Sequence, residues 1–250
     1  MILCAGSGSR LRPVTDEIPK CMVPLGGTPL LEYTIEWLRS QDVSDYVINL
    51  HHFPDAVINH FGDGMNWGTR IHYSIEKTAL GTAGGVRNVA SEFEEHTPFL
   101  VWFGDNLSRC NIRQMEAFHR QHGGVATIAV FQRQDPWSSG IVEFDDRRKI
   151  SRFVEKPRRD EAFSTWVNAG IMICEAKVLE VIPDGIADFG HDVLPRLLEE
   201  SRGVYAYPLS EQESLFWIDT PNDLNRVQGL FANGNWPEPE NAERQARSET

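Results

Sequence analysis

Basic residues are scarce in this chain. Lys and Arg number 24 against 36 Asp and Glu, for a formal net charge of −12. Nucleic acid and anionic membranes both demand a basic face, so neither is expected as the main partner. Long apolar runs are also missing: hydrophobic residues make up 41% of the sequence, but no stretch approaches the ~20 residues that span a bilayer. Cysteine is sparse. Cys4, Cys21, Cys110 and Cys174 form no C-x-x-C pair, which argues against a zinc ribbon or a disulfide framework and predicts reduced thiols. No basic, apolar leader precedes the first apolar run, so a cytoplasmic location is expected. There is no internal repeat, and a homo-oligomer is neither specified nor excluded.

At 250 residues the chain can bury a sizeable core, as one α/β domain or a domain with a modest second lobe. Strand-like runs at 45–50, 70–75, 98–103 and 125–131 alternate with helical patterns at 29–40, 54–61, 83–93 and 111–122. Such alternation predicts a Rossmann-like, mostly parallel sheet with helices on both faces. The second half changes character. Strands at 140–145 and 150–155, joined by a turn at 145–148, and another at 166–174 predict a small β-rich insertion. Helices near 175–182 and 191–201, a strand at 203–207 and a helix at 221–231 follow. The tail from Asn233 carries Pro237, Pro239 and many charges, and disorder is expected there.

Chemistry concentrates first at the N-terminus, in MILCAGSGSRLRPVTDEIPKCMVPLGG. An apolar run ends in a small-residue loop, Ala5-Gly6-Ser7-Gly8-Ser9, where Gly6 and Gly8 let backbone N–H groups approach an anion. Arg10 follows it, and Lys20 sits in a stretch that Pro13, Pro19 and Pro24 keep out of helix. No Gly-Lys-Ser/Thr closes the loop, so it is not a Walker A loop. Leu11 stands where a dinucleotide fingerprint needs a third small residue. What remains is a nest of donors beside two cations, a triphosphate-shaped site; the bland alternative is a turn with solvated charges.

Four more stretches carry a resemblance. With EKTALGTAGG (76–85), FGDN (103–106), FVEKP (153–157) and VNAG (167–170), the chain resembles the sugar-1-phosphate nucleotidyltransferases from residue 1 to about 230. That resemblance implies a single nucleotidyltransferase domain over 1–232 with a GT-A-like nucleotidyltransferase fold. Its nucleotide-binding half would run to about 132 and its sugar-phosphate half over 133–232. It implies that a nucleoside triphosphate and a sugar 1-phosphate are the partners and that Mg²⁺ is the cofactor. Leu3, Ala5, Gly6, Ser7, Gly8, Ser9, Glu76, Gly81 and Thr82 would bind nucleotide. Gly140, Glu155, Lys156 and Asn168 would bind sugar, and Arg10, Lys20, Asp105 and Lys156 would carry catalysis. LGTAG favours GTP with a mannose- or heptose-type sugar. A uridylyl- or thymidylyl-transferase for glucose- or muramate-type sugars is the alternative, and a silent sugar-nucleotide-binding homologue is a further one. A GT-A glycosyltransferase should show D-x-D, which Asp105-Asn106-Leu107 does not. The family usually has proline where Cys21 stands.

The residue types also stand on their own chemistry. Asp105 follows a strand and Gly104, which places it at a strand's carboxyl end, where α/β sheets bind ligands, and a hard cation prefers its oxygens. Glu155 and Lys156 are fixed by Pro157; one can accept sugar hydroxyls and the other can face a phosphate. Asn168, expected to be buried, needs partners. Asp219 in FWIDTPNDL (216–224) is either a second metal carboxylate, by resemblance, or the cap of the helix that Pro221 starts.

Overall fold

The computed structural model describes residues 1–232; the expected disordered tail lies outside the described residues. In chain order the strands are β1 (Ile2–Leu3), β2 (Pro24–Leu25), β3 (Thr28–Pro29), β4 (Asp45–Leu50), β5 (Arg70–Ile75), β6 (Phe99–Phe103), β7 (Asn106–Ser108), β8 (Ala126–Gln132), β9 (Gly140–Phe144), β10 (Ile150–Glu155), β11 (Trp166–Cys174), β12 (Val204–Pro208) and β13 (Leu215–Trp217). The α-helices are α1 (Leu30–Ser40), α2 (Pro54–Phe61), α3 (Gly81–Asn88), α4 (Ile112–His122), α5 (Leu194–Glu199) and α6 (Pro221–Ala232). One nine-stranded sheet runs β10-β9-β11-β6-β1-β4-β5, with β8 beside β11 and β12 beside β8. Strands β1, β4, β5, β6, β8, β9 and β12 point one way; β10 and β11 run against them. The expected mostly parallel α/β fold is therefore present.

Period-two alternation sends neighbouring residues to opposite faces, and helices cover both. Val101, Ile128 and Met172 face one core, closed by Ala83 and Val86 of α3 and Leu194 and Leu197 of α5. Trp102, Ala129 and Ile171 face the other, closed by Leu31, Ile35 and Leu38 of α1, Val57 of α2 and Met115 of α4. A third cluster joins Leu11, Val23, Leu25, Leu107, Ile218 and Val227. It glues the loop carrying Lys20 to α6 and to the small β7–β13 ladder.

Several boundaries depart from the expectation. The apolar run Met1–Cys4, read as the first strand, forms one of only two residues, Ile2–Leu3. The helix foreseen at 83–93 starts earlier, at Gly81, and gives way to a 3-10 turn at Ala90–Glu92. The stretch 175–182 forms only a 3-10 turn, Ala176–Glu180. The helix foreseen at 191–201 opens as a π-turn, Phe189–Val193, capped by Asp188, before Pro195 enters the first turn of α5. Four short strands went unforeseen: β7, β13 and the two of the β2–β3 hairpin, whose Gly26 and Gly27 take φ of 60° and 93°. Runs of two or three residues give periodicity too little to register.

Candidate active site

At the carboxyl ends of the parallel strands lie two adjoining hollows of about 200 and 250 Å³. Leu3, Cys4, Ala5, Gly6, Lys20, Gly81 and Thr82 line the first. Arg10, Gly140, Glu155, Lys156, Asn168 and Asp219 line the second. Phe103, Asp105, Thr82 and Asp188 border both. Most of the residues picked from the sequence thus meet in one cleft.

Its centre is a buried lysine. Lys20 is 9% exposed, and its Nζ donates to Asp105 Oδ2 and to Asp219 Oδ1, each at 2.7 Å. Arg10 Nη2 donates to the same Asp219 oxygen at 2.9 Å. The β7–β13 ladder brings the two carboxylates together. Asn106, next to Asp105, pairs with Trp217, two residues before Asp219. Burial pulls the Lys20 pKa down, but Asp105 and then Asp219 outweigh it and raise it above its usual value. Burial likewise pushes Asp219 up, and Lys20, Arg10 and Lys156 overcome it, so its pKa is lowered. Lys20 and Asp219 stay charged near neutral pH.

Asp219 is not the cap of α6. Thr220 Oγ1 accepts from Asp223 N at 3.2 Å while Asp223 Oδ2 accepts from Thr220 N at 2.9 Å, a reciprocal capping pair. The Asp219 carboxylate is left for the cleft.

The N-terminal loop is more selective than its composition suggests. Only Gly8 takes a positive φ, 61°. A Cβ there would meet Thr15 Cγ2 at 2.9 Å and the Lys20 Cβ at 3.1 Å, so Gly8 lets the lysine loop close over the turn. Gly6 has open space beside it, while Ser7 and Ser9 are exposed; neither serine nor Gly8 lines a hollow. Glu76 is buried and lines neither hollow. Its carboxylate accepts from Asn49 Nδ2 at 2.7 Å and Leu80 N at 2.9 Å, and Asn49 in turn accepts from Cys4 N at 2.9 Å. Glu76 thereby braces β1 against the start of α3. The glycines of LGTAGG answer to packing: a Cβ at Gly81 would run into the Ala187 carbonyl, and one at Gly85 would lie 2.6 Å from Asn49 Nδ2.

On the other side, Glu155 closes β10 with Lys156 Nζ 3.3 Å from its Oε1. Burial raises the Glu155 pKa despite that lysine, and Asp188 adds to the rise. Gly140 and Gly190 flank the carboxylate, since a Cβ on either would come within 2.5–2.6 Å of Glu155 Oε2. Gly140 is glycine because Glu155 and Phe153 crowd it, a reason found inside the protein. Asn168, expected to be buried, is only half-buried. It sits at the bulge where β11 leaves β9 for β6, and its Oδ1 accepts from Gly170 N at 2.9 Å.

Three cleft residues were not foreseen. Asp188 holds Thr82 Oγ1 at 2.7 Å and caps the π-turn. Arg133 and Trp217 wall the second hollow, with the guanidinium carbon 3.8 Å from the indole centroid. Arg133 immediately follows β8, and the rule that already pointed to Asp105, polar residues at strand carboxyl ends, would have found it.

A mixed sheet with a polar, charge-paired cleft at its strand ends, beside the switch of strand order, has the architecture in which α/β proteins as a class bind ligands. A model of the nucleotidyl transferase family matches residues 1–227, and the chain belongs to that family. It is 35% identical to the UTP–glucose-1-phosphate uridylyltransferase of Synechocystis sp. over 93% of this chain and 63% of that protein. It is 30% identical to the mannose-1-phosphate guanylyltransferase of Mycobacterium tuberculosis over 96% of this chain and 66% of that one. The chain thus spans about two thirds or less of these relatives' length. The crystal structure of HddC from Yersinia pseudotuberculosis complexed with GMP-PN superposes with a TM-score of 0.76 at 25% identity, covering 92% of this chain and 97% of that one. No helix among the described residues is long and apolar enough to cross a membrane.

Proposed function

We propose that this chain transfers a nucleoside monophosphate from a triphosphate to a sugar 1-phosphate, releasing pyrophosphate, with GTP and a mannose- or heptose-type sugar as first choice. The observation that carries this reading is Lys20, buried and shared at 2.7 Å between Asp105 and Asp219 where the two hollows meet. A preorganised charge at such a junction suits a reacting phosphate that must be screened and aligned rather than deprotonated. In this scheme an oxygen of the sugar phosphate attacks the α-phosphorus and the bond to the pyrophosphate oxygen breaks. Lys20 faces the α-phosphate, and the backbone of Ala5 and Gly6 at the cleft end of the loop, with Arg10, holds the outer phosphates. Lys156, 57% exposed, follows the incoming sugar phosphate. Glu155 and the Asn168 amide take sugar hydroxyls.

The donor set fits a divalent cation. Asp105 and Asp219 each give Lys20 one oxygen, Oδ2 and Oδ1, so their other oxygens stand as two neighbouring hard donors beside it. Among the described residues no three His, Cys, Asp or Glu gather as a full metal cage, and Mg²⁺ suits such a pair because it keeps water and phosphate oxygens as its other ligands. When bound, it would neutralise charge on the phosphates.

Identity favours the second reading for the base: the uridylyltransferase relative matches at 35% against 30% for the guanylyltransferase. The four free thiols and a triphosphate substrate accord with a cytoplasmic setting. Pyrophosphate release from each of four triphosphates, tested against a panel of sugar 1-phosphates, decides among these readings. Release with GTP and a mannose-type phosphate supports the first, and release only with UTP and glucose 1-phosphate the second. Triphosphate hydrolysis without any sugar phosphate would remove the transferase reading altogether.

A further inference from the structure

Among the described residues, Arg133 is the least exposed cation lining the second hollow. Arg10 and Lys156 are 59% and 57% exposed at their side chains, whereas Arg133 is 8% exposed. Its guanidinium carbon lies over the Trp217 ring, 3.8 Å from the centroid, and its fork is bidentate on Asp135, Nε to Oδ1 at 3.0 Å and Nη2 to Oδ2 at 2.8 Å. Nη1 reaches Ser139 Oγ at 3.3 Å. A guanidinium carries five N–H groups, so one N–H on each terminal nitrogen has no partner among the described residues. A nearly buried donor left unpaired is costly. These two belong to a side chain that walls the hollow beside Gly140, Glu155 and Asn168.

We infer that Arg133 is a specificity-determining residue that reads two oxygen atoms of the sugar ring's substituents with its remaining N–H groups. The inference rests on the transferase reading and extends it to a residue outside the motifs. The oxygens are hydroxyls of a neutral sugar rather than a carboxylate or a second phosphate, because Asp135 already balances the guanidinium charge at bidentate distance. Trp217 and Asp135 fix the plane of the fork, and Phe131, 5.5 Å from Trp217 between ring centroids, backs the indole. The geometry demanded of the sugar is therefore rigid. A lysine in its place would keep the charge and lose the planar fork.

The test uses the sugar 1-phosphate that the wild-type chain turns over best, together with its monodeoxy analogues. Steady-state kinetics and thermal melts are run on the wild type, Arg133→Met and Arg133→Lys. Both variants are expected to raise KM for the sugar 1-phosphate by on the order of tenfold while leaving KM for the triphosphate unchanged. Both should also lose the wild type's discrimination against the deoxy analogue that lacks the contacted hydroxyl. If Arg133→Met fails to fold, Arg133→Lys decides. Unchanged sugar KM and undiminished discrimination in the folded variant would overturn the inference while leaving the transferase reading intact. So would better turnover of acidic than of neutral sugars by the wild type. Absence of turnover with every sugar 1-phosphate would overturn the transferase reading, and this inference with it.

Discussion

A lysine ammonium with 9% of its surface exposed requires carboxylates beside it, and Asp105 and Asp219 meet that need from two distant parts of the chain. The pairing sets a pH window at both ends. Asp219 has its pKa depressed, so its contribution to stability is complete above the ordinary aspartate value of 3.8 and is lost as pH falls through the lower, folded-state value. Lys20 has its pKa raised; its contribution is complete below 10.5 and is lost as pH climbs through the higher folded value. Asp219→Asn should therefore flatten the acid limb of an unfolding titration, and an unaltered limb would mean that other carboxylates set it. Lys20→Ala should lower turnover about a hundredfold or more, the scale for losing one preorganised charge, and steady-state kinetics beside a melt would separate this from unfolding. Lys20 and Asp105 could be read from the sequence because each follows a chain-directing residue, Pro19 and Gly104. Arg133 is flagged only by its place at the carboxyl end of β8; between Gln132 and Gln134 it otherwise looks like any surface arginine, and its burial comes from Trp217, far along the chain. Asp219 stayed ambiguous because aspartate suits a cap as well as a metal. The spacing of Thr220 and Asp223, which settles the cap, is a capping pair that the sequence displays.

Two small elements place these residues. The β7–β13 ladder, three residues on each strand, sets Asp105 against Asp219, and α6 anchors its far end through Leu224 and Val227. Thr220→Ala removes the hydroxyl of the α6 cap and is expected to cost about 1 kcal/mol, read as a lower melting temperature. Because the Asp219 carboxylate takes no part in that cap, the Mg²⁺ dependence of the folded variant should stay close to wild type; a large shift in the metal curve would tie the cap to the cleft after all. The start of α3 is the other placing element. Gly81 has φ of 77° and sits against the Ala187 carbonyl, so Gly81→Ala combines backbone strain with a collision against main chain. A loss of on the order of 1–3 kcal/mol is expected, measurable by denaturant titration. Both elements escape sequence reading for the same reason. A three-residue strand has no period, and a glycine-rich helix start has poor propensity that only contact with residues 185–190 redeems.

At the scale of the molecule, alternating strands and helices announced the sheet and its covered faces, but not how the second half joins the first. Strand β11 inserts between strands of the first half, pairing with β6 and β8, and the cleft draws on residues from both. The proposed nucleotide and sugar halves therefore share one sheet, and a fragment ending at 132 should not fold alone; a cooperative melt of residues 1–132 by circular dichroism would contradict this. The central proposal, nucleotidyl transfer between two substrates across that shared cleft, is tested most directly by following pyrophosphate with each component omitted in turn. Release is expected only when triphosphate, sugar 1-phosphate and Mg²⁺ are all present, and steady release from triphosphate and Mg²⁺ without a sugar 1-phosphate would contradict it.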